Sequence, residues 1–163
     1  MVKSSMQKTN AVRLLDSLGI RYELLDYEVD LEDLAAESTA RKLNLLPEQV
    51  FKTLVVRSNS NNIYFAVIPG NAQLNLKALA KLASQRKVEM VALKELKSLT
   101  GYIRGGVTAI ASKKDYPVYV DETIEVCDRI AVSAGVRGIL IMLTPQDYLQ
   151  IVKGKTGVIS FFP

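Results

Sequence analysis

The chain contains no histidine and a single cysteine, Cys127. Without imidazole, Ser-His and Cys-His nucleophilic pairs and histidine-bound metals are excluded. One thiol cannot close an internal disulfide and fits a reducing compartment. Cys127 lies in the apolar run TIEVCDRIAV with no histidine to activate it, so it reads as a small hydrophobe. No run of eighteen apolar residues occurs, so no membrane-spanning helix is predicted. The first ten residues, MVKSSMQKTN, lack the apolar core of a secretion signal, and the expected location is the cytoplasm. An enzyme built from this sequence must use Lys, Tyr, Asp, Glu, hydroxyls, backbone amides or the substrate itself.

What is present describes a globular chain. Hydrophobic residues make up 48% and charged residues 23%, near the average for soluble domains. A length of 163 residues suits one domain over residues 1–163, large enough to bury roughly 70% of its unfolded surface. Twenty-one basic against 17 acidic residues give a net charge of +4. That excess permits an anionic partner such as nucleic acid without establishing one.

Periodicity supplies the elements. TNAVRLLDSLG (9–19) predicts a helix capped by Thr9 or Asn10 and stopped at Gly19. RYELLDY predicts a strand, EVDLED an acidic loop, and residues 33–44 a second helix. Two strands, 50–57 and 63–69, flank the turn SNSNN as a hairpin. A helix over LKALAKLA capped by Asn75, a strand VEMVA and a short helix KELKSLTG follow. Loop and strand signals then run to Asp121, and strands IAVS and ILIML bracket the turn AGVRG. Thr144, Pro145 and Asp147 open a last helix in the cap, first and third positions, and strand GVISFF closes the chain. The expected fold is α+β: a central mixed, largely antiparallel sheet with helices packed on it.

Candidate chemistry begins in QVFKTLVV, where alternation puts Lys52 in register with Val50, Leu54 and Val56. A lysine there either snorkels to water or meets an anionic ligand. Two glycine-rich turns follow, GYIRGGV (101–107) with Arg104 and SAGVRG (133–138) with Arg137. Neither is a nucleotide fingerprint, yet glycine lets backbone N–H groups approach a ligand closely. Lys113 and Lys114 read as a solvated loop, and the acidic cluster Asp26, Glu28, Asp30, Glu32 and Asp33 has no cation-loop pattern. No metal site and no cofactor are predicted.

In order along the chain, Tyr27-Glu28, VFKTLVV, PGNAQLNLK (69–77), KVEM (87–90), TGYIRGGV and VSAGVRG are similar to the YbaK/EbsC family. Its members are aminoacyl-tRNA deacylases related to the editing domain inserted in bacterial prolyl-tRNA synthetase. The resemblance implies a sheet-lined pocket for the aminoacylated 3′ end of tRNA, and removal of a mischarged amino acid. It implies that Lys52 positions the terminal nucleotide or ester, with Gly105 and Gly106 against the aminoacyl group as the catalytic turn. Tyr27, Thr53, Ser133, Gly135 and Arg137 are the implied substrate-binding residues.

That chemistry suits a chain without histidine. An aminoacyl ester is already an activated acyl group, so the protein need only orient it and stabilise the oxyanion. A cysteinyl ester brings its own thiol as nucleophile. The resemblance implies Cys-tRNA(Pro) or Cys-tRNA(Cys) as the substrate, a choice this chemistry fits, with prolyl-tRNA synthetase as a possible partner. Four positions depart from the family pattern: Val29 for histidine, Ala109 for proline, Val136 for lysine and Leu140 for aspartate. They bear on amino-acid identity, and they motivate an alternative in which the same fold binds a tRNA end, nucleotide or synthetase without turnover.

Overall fold

The computed structural model describes residues 8–163, so most of the N-terminal stretch examined for a secretion signal lies outside the described residues. In chain order the elements are α1 (Asn10–Ser17), β1 (Glu23–Asp26), α2 (Ala36–Lys42), β2 (Phe51–Ser58), β3 (Ile63–Pro69) and β4 (Gln73–Leu74). There follow α3 (Leu76–Leu82), β5 (Val88–Met90), α4 (Leu96–Thr100), β6 (Val118–Asp121), β7 (Ile130–Ser133) and β8 (Ile139–Leu143). The chain closes with α5 (Pro145–Val152), β9 (Lys155–Gly157) and β10 (Ser160–Phe161). Short 3-10 turns occupy Pro47–Gln49, Leu93–Glu95 and Glu122–Val126.

Side-chain caps start three of the helices as the sequence predicts. The Thr9 hydroxyl accepts from Val12 N at 3.3 Å, Asn75 Oδ1 from Ala78 N at 3.0 Å, and the Thr144 hydroxyl from Asp147 N at 3.2 Å. Each satisfies an orphan first-turn donor, typically worth about 1 kcal/mol. Gly101, at φ 80°, ends α4 in the left-handed region that favours glycine.

The hairpin forms the centre. β2 and β3 pair antiparallel from Phe51 opposite Pro69 to Arg57 opposite Ile63. They belong to a five-stranded mixed sheet of order β5-β2-β3-β6-β9, parallel at β3–β6 and at β6–β9. A three-stranded antiparallel sheet, β1-β8-β7, meets it through a bridge between Val50 and Ala131. Alternation along β2 and β3 divides the core. Phe51, Val55, Phe65 and Val67 pack with α1 and the β7–β8 strands, while Val56, Tyr64, Ala66 and Ile68 pack on α3 and Ile159. Each fully buried Val, Ile or Phe side chain among these contributes roughly 1.5–3 kcal/mol. The mixed α+β architecture matches the sequence expectation.

Three boundaries differ. The predicted 33–44 helix begins only at Ala36, because Asp33 turns the chain by accepting from Ala35 N at 3.3 Å. Residues between α4 and β6 form turns with little strand. The expected strand GVISFF is split. The buried Asp121 carboxylate accepts from Ile159 N and Ser160 N, both at 3.0 Å. The donors so engaged send β9 to β6 and β10 to β4.

Candidate active site

The first half of β2 borders a cavity of about 540 Å³ that α2, the Leu93–Glu95 turn and the Gly101–Val107 segment close from the sides. Every residue from Val50 to Val55 lines it. Lys52 is half-buried opposite Ile68, and its ammonium donates to the Gly70 carbonyl at 3.1 Å. Among the described residues no carboxylate lies within ion-pairing distance of it. Burial pulls its pKa below the ordinary lysine value, and the Glu37 charge partly opposes that shift. The stem packs beside apolar neighbours while the charge faces the cavity.

Gly70 fixes this corner. A Cβ there would lie 2.9 Å from the Ala36 Cβ and 3.0 Å from the Val50 carbonyl oxygen. Only glycine lets α2, the start of β2 and the end of β3 come this close.

The two glycine turns are packed backbone on backbone. A Cβ on Gly106 would stand 3.2 Å from Val136 Cα, and Arg137 Nε donates to the Arg104 carbonyl at 2.7 Å. Gly106 N donates to Ile103 O at 2.9 Å inside its own turn, whereas the Gly105 N–H has no partner among the described residues. Gly105 adopts φ +87° and reaches the cavity together with Arg104. The second turn is tightened by Ser133, whose hydroxyl accepts from Gly135 N at 3.1 Å. Gly138, at φ +91°, accepts from Tyr27 N at 2.9 Å and so places Tyr27 at the cavity edge.

Of the residues singled out in the sequence, Lys52, Thr53, Tyr27, Gly105 and Ser133 border one cavity. Gly106 and Arg137 stand behind its wall as the support of the Arg104–Gly105 segment, while Gly135 packs on Tyr102 and Thr108. Of the four departures, only Leu140 lines the cavity. Ala109 is core, Val29 packs on Gly138, and Val136 is exposed on its turn. The cavity also takes in Glu37, which the sequence reading did not single out, Gly70, which entered only within the motif PGNAQLNLK, and Arg104, which was named with its glycine turn but given no role. The Pro69-Gly70 pair ending an apolar strand was the one available signal, since a glycine there marks close backbone approach.

The remaining candidates have local partners. Lys113 donates to Gly101 O at 3.2 Å and lies 5.5 Å from the centre of the Tyr102 ring. Asp33 accepts from Ser38 and Ala35, and no cluster of potential metal ligands occurs among the described residues. Burial pushes the Cys127 thiol pKa up, away from the reactive thiolate.

The aminoacyl-tRNA editing domain family matches residues 33–151, a span containing the whole glycine-turn and β2 constellation. The chain belongs to the aminoacyl-tRNA editing domain family. A protein of Enterococcus faecalis provisionally named Cys-tRNA(Pro)/Cys-tRNA(Cys) deacylase EbsC is 41% identical over 158 residues, covering 97% of this chain and 96% of that one. Two solved structures share the fold. The hypothetical protein APE2540 superposes with a TM-score of 0.83 at 23% identity, over 91% of this chain and 97% of that one. A protein described provisionally as a trans-editing enzyme for prolyl-tRNA synthetase gives 0.78 at 19% identity, over 96% of this chain and 99% of that one.

Proposed function

We propose that this chain acts in trans on mischarged aminoacyl-tRNA and releases cysteine from its 3′ end, on Cys-tRNA(Pro) or Cys-tRNA(Cys). The observation that carries the reading is the meeting of a half-buried lysine and a glycine N–H without a partner among the described residues at one cavity. The ester carbonyl sits between them. The Gly105 N–H and the Lys52 ammonium face the oxygen on which negative charge develops. The cysteinyl sulfur, losing its proton, bonds to the carbonyl carbon. The ester C–O bond breaks, the ribose oxygen takes up a proton as the tRNA 3′-hydroxyl, and water opens the resulting thiolactone to free cysteine. The protein supplies orientation and charge, and the substrate supplies the nucleophile.

The 3′ end of tRNA is the partner, met in the cytoplasm. The cavity offers no room for the tRNA body, so a synthetase such as prolyl-tRNA synthetase provides that selectivity. One observation favours a second reading, binding without turnover: Leu140 puts an apolar side chain in the cavity wall, at a position where some members of the family pattern carry aspartate. A deacylation panel with Cys-, Ala-, Ser-, Thr- and Pro-charged tRNA decides between them. Cysteine release by the wild-type chain, falling about 100-fold in Lys52→Ala, is expected. No release from any substrate, or full activity in Lys52→Ala, overturns the deacylase reading, and calorimetric tRNA binding without release establishes the second.

A further inference from the structure

Among the described residues that border the cavity, Lys52 and Arg104 are the cations and Glu37 is the single anion. Glu37 stands in the first turn of α2 and makes no hydrogen bond or ion pair among the described residues. Its place relative to Lys52 is fixed through Gly70. That glycine presses against Ala36, the residue before Glu37, and its carbonyl receives the Lys52 ammonium at 3.1 Å. Both residues border the cavity, Glu37 exposed and Lys52 half-buried, on backbone brought together at Gly70.

Ester chemistry alone gives no use for an anion there. A carboxylate beside a developing oxyanion opposes it, and one near Lys52 weakens the attraction of that lysine for phosphate or ester oxygen. The aminoacyl group, however, brings a charge of its own. Its α-ammonium sits one carbon from the carbonyl, and α-amino groups titrate near about 7.7–8.0. At neutral pH a cation must therefore enter a cavity that already holds two.

We propose that the Glu37 carboxylate receives the α-ammonium of the aminoacyl group and thereby makes a free α-amine a condition of entry. The assignment rests on the deacylase reading of this cavity. It identifies the ester class that is turned away: peptidyl-tRNA and other N-acylated aminoacyl-tRNAs, whose α-nitrogen is an uncharged amide. Such a substrate forfeits the charge-assisted hydrogen bond that the α-ammonium makes. It also brings an acyl group into the corner that Ala36 and Gly70 already fill. A protein acting in trans on charged tRNA would in this way spare chains under synthesis.

The test separates this role from simple support of Lys52. Binding of 3′-cysteinylamino-3′-deoxyadenosine, in which an amide replaces the scissile ester, and of its N-acetyl form is measured by calorimetry on the full chain. The wild-type protein is expected to prefer the free amine by about 10-fold, within the range for a hydrogen bond to a charged group. Glu37→Gln brings the ratio close to one by weakening only the free-amine analogue, and Glu37→Asp retains part of the preference. Circular dichroism checks that both variants fold. Equal weakening of the two analogues by Glu37→Gln, an unchanged ratio, or no preference in the wild type overturns the assignment. The ratio is read without turnover, so its failure is distinct from an absence of release in the tRNA panel.

Discussion

Lys52 illustrates the tension between stability and function at the scale of one residue. Its ammonium has one carbonyl partner, and burial holds its folded pKa below the ordinary lysine value of 10.5. A lysine whose pKa falls on folding costs stability wherever both states are protonated. Between the folded pKa and 10.5 the unfolded chain binds more protons, so stability rises with pH across that window. Replacing the head group with an apolar end of similar shape removes this cost. Lys52→Met is therefore expected to raise the melting temperature at pH 7 by about 3 °C while lowering cysteine release about 100-fold. The gap should narrow as pH approaches 10.5, where the wild type recovers. Thermal unfolding at both pH values is the measurement, and a lower melting temperature for the variant at pH 7 refutes the argument. Lys52 was legible in the sequence because a charged residue in an apolar register of a period-2 pattern is conspicuous. Glu37 was not. An acid in the first turn of a helix is what the helix dipole and solvent favour anyway, and nothing local distinguishes one that faces a cavity.

Among elements, the position of α2 decides whether the cavity has two charged walls or one. Its seven residues, Ala36–Lys42, are too few to hold a helix by propensity alone, so its place comes from contacts, with Gly70 the tightest. A methyl group at Gly70 meets the Val50 carbonyl oxygen at 3.0 Å as well as the Ala36 side chain at 2.9 Å, and backbone cannot move aside cheaply. Gly70→Ala is expected to cost about 1–3 kcal/mol, the range for overpacking. It should also displace α2 outward, lowering cysteine release more than the stability loss alone explains. Denaturant midpoints combined with the release assay at a temperature where the variant remains folded check both parts. An unchanged midpoint would show that the corner has slack. The helices with side-chain caps and the β2–β3 hairpin were readable from local sequence, because caps and turns act within a few residues. The break in GVISFF was not, because Asp121, which takes its amide donors, lies 38 residues before Ile159.

The molecule as a whole carries a net charge of +4, and its place in tRNA recognition depends on where cations remain unpaired. Lys8, Arg57 and Arg129 are engaged by Asp16, Glu95 and Glu23, while Lys113 is turned onto Gly101 and Tyr102. Arg104 differs. Its backbone carbonyl is tied to Arg137, but its exposed guanidinium has no partner among the described residues and borders the cavity. If Lys52 meets the ester as proposed, Arg104 is the remaining cation at the cavity that could take the phosphate preceding the terminal nucleoside. A protein gripping a single-stranded 3′ end neutralises few phosphates, each contributing about 0.7 to the slope of log affinity against log salt. Arg104→Ala is accordingly expected to lower that slope by about 0.7 and to weaken binding alike for every tRNA, because a phosphate carries no sequence information. Lys113→Ala, which removes a charge already committed within the protein, should change the slope less. Titrations of tRNA between 50 and 200 mM salt measure both variants. A slope unaltered by Arg104→Ala would place the phosphate elsewhere and leave this arginine as the clamp between the two glycine turns, a role its carbonyl already fills through Arg137.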